Sequence, residues 1–474
     1  WERTNLKGGD PLDKHRVLAF KNTDAWVAYN KKYGAADPFN TMMQNIDHMA
    51  RALAMAQQLG RDADQALDYM GQLVTKRARE ENWSVKDKTL ADGNNVLAKN
   101  MARYMKGGIG PSGWLGAQSA RIFSTTRKVL NSALLDRAVV ISIPSDMNSV
   151  RIAARMIKMN PGNFLSTYVG LMADSVKGGG MVRDDLLRQG HIAESFANPG
   201  VTSARFQQEY PAAGWSEILS NASMQLQGMT AHTDNAKIAF KHSFAGQFAS
   251  LKGAALNKIS ETLRQDMEAH GITAQDWDDF RSSGGIFTAQ NGATFLDPLY
   301  WRGANTIADK DAADALFLKM QSYVEKWTEK AIPTQSLIAK GIIDPMAWGL
   351  SPGSAGYEFF KSAGMFKSFV GAFVVNQARM MQMKSGFKGK AGYAVELVGT
   401  TTLVGALAIQ IGEMLMGRDP QDMTNEGFLW RSVLRGGGLG PIGDILSTGT
   451  TTWGDGFAGY LAGPVVQLAQ GATD

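Results

Sequence analysis

The stretch DPFNTMMQNIDHMARALAMAQQLG, residues 37–60, sets the structural pattern of the whole chain. Its apolar residues recur every three or four positions, as they do on one face of an α-helix, and they include Met42, Ile46, Met49 and Leu53. Asp37-Pro38 supplies a cap and a proline in the first turn, and Gly60 supplies a stop. The spacing therefore predicts an amphipathic helix from the proline to the glycine.

The same helical period continues along most of the chain, and the alternation typical of strands is nearly absent. Pro144, Ser145 and Asp146 are expected to end one helix and to cap the next. The best strand candidate is GGIFTAQNGATFLD at 284–297, in which Asn291-Gly292 predicts a hairpin turn. We predict further helices over 64–79, 117–141, 149–159, 162–175, 181–196, 212–270 and 308–331.

These patterns favour an all-α fold, an elongated multi-helix assembly with little or no sheet. The length of 474 residues exceeds what one hydrophobic core usually covers, so several subdomains are expected. Clustered glycines predict joints between them. We expect four regions, at 1–106, 107–283, 284–356 and 357–474. The chain begins with Trp1 in a polar stretch, so we expect it to be a piece of a longer polypeptide.

Composition limits the chemistry that the chain can perform. It contains no cysteine, which excludes disulfides, thiolate nucleophiles and cysteine-based zinc sites. The glycine clusters lack the Lys-Ser/Thr of a phosphate-binding loop. No two histidines have metal-ligand spacing on a helix face, and a core or surface role is expected for each: His15, His48, His191, His232, His242 and His270. We predict no metal, no cofactor and no catalytic residue.

One short phrase is an alternative to that prediction. Glu194-Ser195, followed by Asn198-Pro199, is similar to the opening motif of lytic transglycosylases, in which the glutamate would be the general acid for glycosidic cleavage. The Gly-Leu-Met-Gln segment that follows in that family is missing from this chain. A peptidoglycan-cleaving enzyme that uses Glu194 remains one alternative function.

The positive charge of the chain is concentrated in YEFFKSAGMFKSFVGAFVVNQARMMQMKSGFKGK, residues 357–390. This segment has six cations and one anion, Glu358, and its net charge equals the +5 of the whole chain. On a single helix, four phenylalanines and Met380 would share one face and the cations would lie off it. The residues predicted to contact nucleic acid or a membrane are Lys361, Phe366, Lys367, Phe369, Phe373, Arg379, Lys384, Lys388 and Lys390.

Three interpretations of this basic amphipathic helix remain open. It could pack on the core as an ordinary surface helix. It could lie on a membrane surface, with its phenylalanines toward the lipid. It could also belong to an oligomer that turns its cations toward nucleic acid.

The longest uncharged run, LVGTTTLVGALAIQIG at 397–412, follows directly. Its 16 residues between Glu396 and Glu413 fall short of the roughly 20 that span a bilayer. Its small residues permit close helix–helix approach. It is interpreted either as a buried helix of a soluble assembly or as a segment that later inserts with its neighbours. The Gly-rich apolar tail beyond Arg435 is expected to pack against another subunit or lipid.

Six phrases occur in order along the chain, at 31–60, 127–147, 270–284, 295–301, 350–381 and 436–446. The strongest is LSPGSAGYEFFKSAGMFKSFVGAFVVNQARMM at 350–381, a Gly-rich lead into an aromatic-Lys-Ser-Phe helix. A further helix follows it and ends at the Gly-Arg-Asp-Pro stop, Gly417 to Pro420. Together the phrases resemble the C-terminal portion of the large internal virion proteins of short-tailed bacteriophages, the DNA-ejection proteins.

This resemblance implies a structural, non-enzymatic protein that is packaged inside the capsid near the portal. After ejection it would lie in the host periplasm and inner membrane, as a homo-oligomer with other ejection and portal proteins. The assembly would form a conduit for genome delivery and contact double-stranded DNA without sequence specificity. An enzymatic domain could lie upstream of Trp1. A membrane pore protein unrelated to phage is the other alternative.

Overall fold

A computed structural model describes the chain from Phe20 to Arg435. The residues within these limits that it does not describe are 34–37, 107–110, 112, 135–137, 178–227, 283–285, 289–293, 297–308, 333–337, 339–340, 343, 346–348, 364–366, 385 and 416.

The described residues are almost entirely helical, so the predicted all-α fold is confirmed. The first helices are α1 Thr23–Tyr33, α2 Pro38–Leu59, α3 Ala63–Glu80, α4 Val85–Met105, α5 Gly113–Leu134, α6 Ala138–Ile157 and α7 Pro161–Lys177. Those that follow are α8 Met229–Leu251, α9 Glu261–Ala269, α10 Ala274–Ser282, α11 Lys310–Ala331, α12 Ala355–Ala363, α13 Lys367–Gln382, α14 Gly386–Leu415 and α15 Glu426–Arg435.

The helix ends of the N-terminal region follow from local chemistry. As predicted, α2 begins at Pro38 and stops before Gly60, which has a φ of +78° and donates its N–H to the carbonyl of Ala56 at 2.9 Å. Asp62 then caps α3 by accepting the N–H of Gln65 at 3.0 Å. Ser84 caps α4 in the same way. These signals divide the stretch from Pro38 to Met105 into three helices.

The apolar stripe of α2 is only partly buried. Met55 joins a small core with Ala63, Leu67 and Ala102, but Ile46, Met49 and Leu53 are exposed. A groove of about 580 Å³ between α3 and α4 is also apolar, and its lining includes Leu67, Met70, Val74, Trp83 and Leu90. This small unit therefore leaves much of its apolar surface uncovered.

The main core lies between α6, α7, α8, α9, α10 and α11. Its centre is Phe244 of α8, which has no exposed surface. The ring centroid of Phe244 lies 4.6 Å from that of Phe248, 6.0 Å from those of Phe240 and Tyr323, and 6.4 Å from that of Trp327. Such aromatic packing, with tilted and edge-on rings, stabilises the fold beyond simple area burial.

A fully bonded buried carboxylate lies beside these rings. Asp266 of α9 accepts hydrogen bonds from the Tyr323 hydroxyl at 2.9 Å and from the Trp327 indole N–H at 3.0 Å. It also pairs with Lys326 at 3.0 Å and lies 3.7 Å from Lys330. Burial lowers the pKa of Lys330 to about 8, against the opposing effect of Asp266. This network fixes α9 on α11.

The predicted helix break at Pro144 is wrong. Pro144 lies inside α6, and Asp146 does not cap a helix. Instead Asp146 is fully buried, with its Oδ2 2.9 Å from Nε2 of His232; Nδ1 of that imidazole lies 2.7 Å from the hydroxyl of Tyr168. A proline in a helix interior costs about 3 kcal/mol. The contacts that α6 makes with α7 and α8 offset that cost.

A second helix boundary also differs from the prediction. The helical pattern over 212–270 was expected to be nearly continuous, but α8 ends at Leu251 and α9 begins at Glu261. A turn and a short 3₁₀-helix, Leu256–Lys258, lie between them. Leu256 and Ile259 of this connection are buried in the core, and Trp277 donates its indole N–H to the Ala254 carbonyl at 2.8 Å. Tertiary packing thus overrides helix propensity here.

The predicted hairpin is present as a pair of short antiparallel strands, β1 Ile286–Thr288 and β2 Thr294–Leu296. Ile286 pairs with Leu296, and Thr288 pairs with Thr294. The turn at Asn291-Gly292 lies outside the described residues.

Candidate membrane-contacting surface

The longest described helix, α14, occupies the stretch in which the sequence shows its uncharged run. It has 30 residues, which corresponds to about 45 Å at the rise of an α-helix. It begins at Gly386, whose φ is +65°, and ends ahead of Gly417, whose N–H donates to the carbonyl of Met414 at 3.0 Å. The helix is thus almost twice as long as the uncharged run that predicted it.

One side of α14 packs on the body of the protein. Tyr393, Thr401, Gly405 and Ile409 are buried along this side, at spacings of four or eight residues. The hydroxyl of Tyr393 donates to the side-chain carbonyl of Gln377 on α13. Helix α14 packs against α6, α13 and α15; Glu396 in its first half pairs with Arg151 of α6, and Gln410 in its second half bonds to Gln421 in the connection to α15.

Two cations on α6 hold the middle of α14. The carboxylate of Glu396 pairs with Arg151 at 3.1 Å and also with Arg155. All three side chains are partly exposed to solvent. Ion pairs of this kind contribute about 1 kcal/mol or less, because water screens them. Glu396 is therefore attached to the body by contacts that water can replace at little cost.

The opposite side of α14 is apolar and exposed. Leu403 is 66% exposed and Leu407 is 54% exposed, and they lie in line with other uncovered apolar side chains. We call this set the α14 apolar face: Val395, Leu403, Leu407 and Met414. Only 18% of the most apolar window of α14 is buried. Within the described part of the chain, α14 is the one helix long and apolar enough to cross a membrane.

The start of α14 carries exposed cations around an exposed aromatic ring. Phe387 is 87% exposed, which exceeds the value for every other exposed large hydrophobic residue in the described ranges. Lys388 and Lys390 are exposed, and Lys384 is half-buried. No acidic residue occurs between Lys384 and Val395. We call the stretch 384–390 the lysine segment.

The structure places Lys361, a predicted contact residue, away from solvent. Its ammonium pairs with the carboxylate of Asp344 and lies 5.6 Å from the ring centroid of Tyr357. The two charged side chains of this pair are only 12% and 10% exposed. Lys361 is therefore not an open surface cation, because the region preceding α12 supplies a partner that the local sequence does not reveal.

The one anion of the basic segment is also buried. Glu358 is 1% exposed, and it pairs with Arg127 of α5 at 2.9 Å. It also accepts the backbone N–H of Gly353 at 3.1 Å, and Ser362 accepts a hydrogen bond from Arg127 at 3.0 Å. Neither the carboxylate of Glu358 nor the ammonium of Lys361 therefore contributes to the solvent-exposed charge of residues 357–390.

The predicted single amphipathic face is divided by the structure. Phe373 and Met380 of α13 are buried, whereas Phe359 of α12 is exposed, so these side chains do not share one environment. Helices α12 and α13 are described separately, and Phe366 lies outside the described residues. Lys367 and Phe369 belong to α13, but their side chains are not described. Arg379 is exposed, as are Lys388 and Lys390.

Sequence reasoning did not single out Phe387, which lies inside the predicted basic segment, or Val395, which lies between that segment and the uncharged run. Leu403 and Leu407 lie inside the uncharged run at 397–412, which is interpreted as a buried helix or as a segment that inserts, but the prediction names neither residue. The signal that could have found them is the apolar spacing of four residues across Glu396, which continues from Val395 to Leu407. Glu396 interrupts the uncharged sequence of the helix, but its carboxylate pairs with Arg151 and Arg155 of α6.

The sequence predicts a core or surface role for each histidine, and the structure places two of them in the core. His232 and His242 are buried in α8, and burial lowers the pKa of His242 to about 4. Within the described ranges, no group of three or more His, Cys, Asp or Glu side chains is placed to hold a metal ion. The Glu194 motif lies outside the described residues.

Comparison of the chain with protein-family models, with curated proteins and with solved structures gave no match. The resemblance to phage ejection proteins therefore stays a prediction.

Proposed function

We propose that this chain is a structural, non-enzymatic subunit of a phage DNA-ejection assembly. In this proposal it is stored in the virion near the portal and then oligomerises, with other ejection and portal proteins, in the host periplasm and inner membrane. There it forms part of a conduit for double-stranded DNA. Helix α14 is the element that contacts lipid.

The observation that carries this proposal is the exposed apolar face of a membrane-length helix. An ordinary core helix of this composition would be covered by neighbouring side chains, because apolar surface in water is unfavourable. In α14 the side bearing Leu403 and Leu407 is open to solvent. A contiguous apolar strip of this kind marks a surface that binds something else. At 30 residues α14 is longer than the roughly 20 that span a bilayer, and Glu396 is the single charged residue between Lys390 and Glu413.

The weak attachment of α14 to the rest of the protein supports the proposal that this helix moves from an aqueous environment to a membrane. Glu396 is bound by partly exposed arginines, and Gly405 and Ile409 pack without buried charge. Detaching the helix would therefore leave no unpaired charge in the core of the protein. A subunit that begins in the aqueous capsid and ends at a membrane requires such an arrangement.

The exposed cations support contact with two kinds of polyanion, anionic lipid surfaces and DNA. Arg379, Lys388 and Lys390 present positive charge near the start of α14. Phosphate contact needs charge but no base-reading groups, which suits a passage for DNA of any sequence. The resemblance over 350–381 supports the phage assignment within this class.

The experiment is vesicle flotation of the purified chain, followed by measurement of its assembly mass and of the release of trapped markers of graded size. The test variant is Leu403→Lys with Leu407→Lys, on the α14 apolar face. The matched control is Leu318→Lys, a similarly exposed leucine on α11. We expect the unmodified chain and the control to bind, to form oligomers and to release large markers.

The double lysine variant is expected to fold normally, because both positions are exposed, and to lose flotation and marker release. Equal flotation of this variant and the unmodified chain would show that α14 does not enter lipid, and the proposed function would then fail. A chain that binds vesicles only as a monomer and releases no marker would contradict the conduit.

A further inference from the structure

The two ends of α14 differ in charge. Lys388 and Lys390 lie at the N-terminal end and Lys384 directly precedes it, and the sequence has no acid between Lys384 and Val395. The stretch from Glu413, in the last turn of α14, to Glu426, the first residue of α15, contains four acids and the single cation Arg418. The helix dipole adds to this difference, since its N-terminal end is positive. A helix with this asymmetry has a preferred direction in the field of an anionic surface.

An aromatic side chain stands in the middle of the positive end. Phe387 lies in the first turn of α14, directly before Lys388, and is almost fully exposed. A phenylalanine in water gains free energy when it enters an apolar phase. Lysines beside it can bind headgroup phosphates while their own methylene chains remain in the apolar boundary. The lysine segment therefore combines a charge signal with an apolar anchor.

We infer that the lysine segment is a docking site for anionic phospholipid headgroups, into which Phe387 inserts as the anchor. The N-terminal end of α14 then meets the anionic leaflet first, and the acidic connection to α15 lies at the other end of the helix. This inference rests on the proposed function, and it adds the class of lipid and the end of the helix that binds it.

Duplex DNA fits the same segment less well. Its phosphates would pair with Lys388 and Lys390, but its exterior offers no apolar phase for Phe387. Aromatic stacking on bases requires a single strand. The α14 apolar face begins at Val395, eight residues beyond Phe387. A ligand that contacts both the lysine segment and this face must therefore have a charged surface with an apolar layer beneath it. A phospholipid leaflet has that structure.

The absence of cysteine allows a direct test, because one introduced thiol can be labelled without background. An environment-sensitive fluorophore is attached to Phe387→Cys, to Leu403→Cys on the α14 apolar face, or to Val85→Cys as an exposed control in α4. Each labelled full-length chain is mixed with phosphatidylcholine vesicles, with or without phosphatidylglycerol. We expect the label at position 387 to report an apolar environment with the anionic vesicles, and the label at position 85 to stay aqueous.

A charge series tests the headgroup contact separately. Lys384→Gln, Lys388→Gln and Lys390→Gln together are compared with Lys86→Gln, Lys88→Gln and Lys258→Gln, which remove the same charge from other exposed positions. We expect partitioning into anionic vesicles to fall about fivefold for each lysine removed from the segment, and by much less in the control triple. Phe387→Ala is expected to reduce partitioning about tenfold.

The outcomes separate this inference from the proposed function. If the label at 403 enters lipid while that at 387 stays aqueous, α14 contacts the membrane but the docking site is wrong. If the lysine triple loses binding to a duplex oligonucleotide and keeps its vesicle binding, the segment serves DNA and the inference is overturned. If no labelled position enters lipid, both the inference and the proposed function fail.

Discussion

Helices α8 and α14 are both long, and the more polar of the two is the more deeply buried. Helix α8 contains Asp234, Lys237 and Lys241, yet Phe240 and Phe244 on it have no exposed surface. Helix α14 has a 16-residue run without charge, and its apolar face is largely open. Burial in this protein therefore follows the supply of partners rather than the composition of the helix.

The partners of α8 are identifiable. Tyr323 and Trp327 of α11 and Trp277 of α10 surround its phenylalanines, and its polar groups find buried partners such as Asp146. The outer side of α14 faces no comparable set among the described helices. The described helices leave this side of α14 uncovered, and this is the basis for proposing lipid as its partner.

The largest expected effect distinguishes the two helices directly. Phe244→Ala would remove the ring at the centre of the core, and we expect the free energy of unfolding to fall by about 4 kcal/mol. Leu403→Ala, on the open side of α14, should change it by less than about 0.5 kcal/mol. Chemical denaturation of both variants measures the difference. Similar losses for the two would mean that the α14 apolar face is covered in solution.

The next effect concerns the buried pair that joins α5 to α12. Glu358→Ala would leave the guanidinium of Arg127 buried without its carboxylate, and the free energy of unfolding should fall by about 3 kcal/mol. Replacing both residues, with Arg127→Met and Glu358→Leu, should recover most of that loss because no uncompensated charge remains. Denaturation curves for the single and double variants check this. A negligible loss in the single variant would place Glu358 at the surface.

Acid should weaken the α8 core through His242. Because burial lowers the pKa of His242 from 6.5 to about 4, the unfolded chain binds a proton between these values that the folded chain does not. Stability present above pH 6.5 is therefore lost as the pH falls. Between pH 7.5 and pH 5, His242 should lower the free energy of unfolding by about 2 kcal/mol. His242→Gln should remove this part of the pH dependence, and an unchanged pH profile would contradict it.

The smallest expected effect on stability concerns the ion pairs between α6 and α14. Glu396→Gln would break the pairs with Arg151 and Arg155 and should lower the free energy of unfolding by less than about 1 kcal/mol. Because the helix then detaches more easily, partitioning into anionic vesicles should rise about threefold. Glu325→Gln breaks a comparable pair with Lys241, far along the chain from α14, and serves as the control. Equal effects of the two substitutions on partitioning would rule out a specific role for Glu396.

Much of the fold could be predicted because its signals are local. Pro38 and Gly60 bound a helix through their own backbone preferences, and two short paired strands lie on either side of Asn291-Gly292, where the sequence predicts a hairpin. The helix end predicted at Pro144 is wrong because the effect of a proline on a helix depends on the packing around that helix. Packing of α6 against α7 and α8 outweighs the local preference to stop the helix.

The candidate surface was harder to predict because its determinants are distant in sequence. Lys361 was assigned to the surface, yet its partner Asp344 lies 17 positions away, and Glu358 is paired with Arg127, 231 positions away. Neither pairing is visible in a local window. Arg379, Lys388 and Lys390 are exposed, and their contact with nucleic acid or a membrane stays a prediction. Phe387 was overlooked because exposure cannot be read from residue type.

Gly386 has a mechanical consequence. Its φ of +65° is a conformation that glycine adopts without strain, and it lies where α13 gives way to α14. Helix α13, just upstream, is held on α11 because Asn376 donates to the carbonyl of Lys330 at 2.9 Å, so a change at Gly386 would turn α14 and leave α13 in place. Since α14 is about 45 Å long, a rotation of about 10° there would displace its far end by about 8 Å. A small dihedral adjustment at a single residue is thus amplified to nearly the width of a helix.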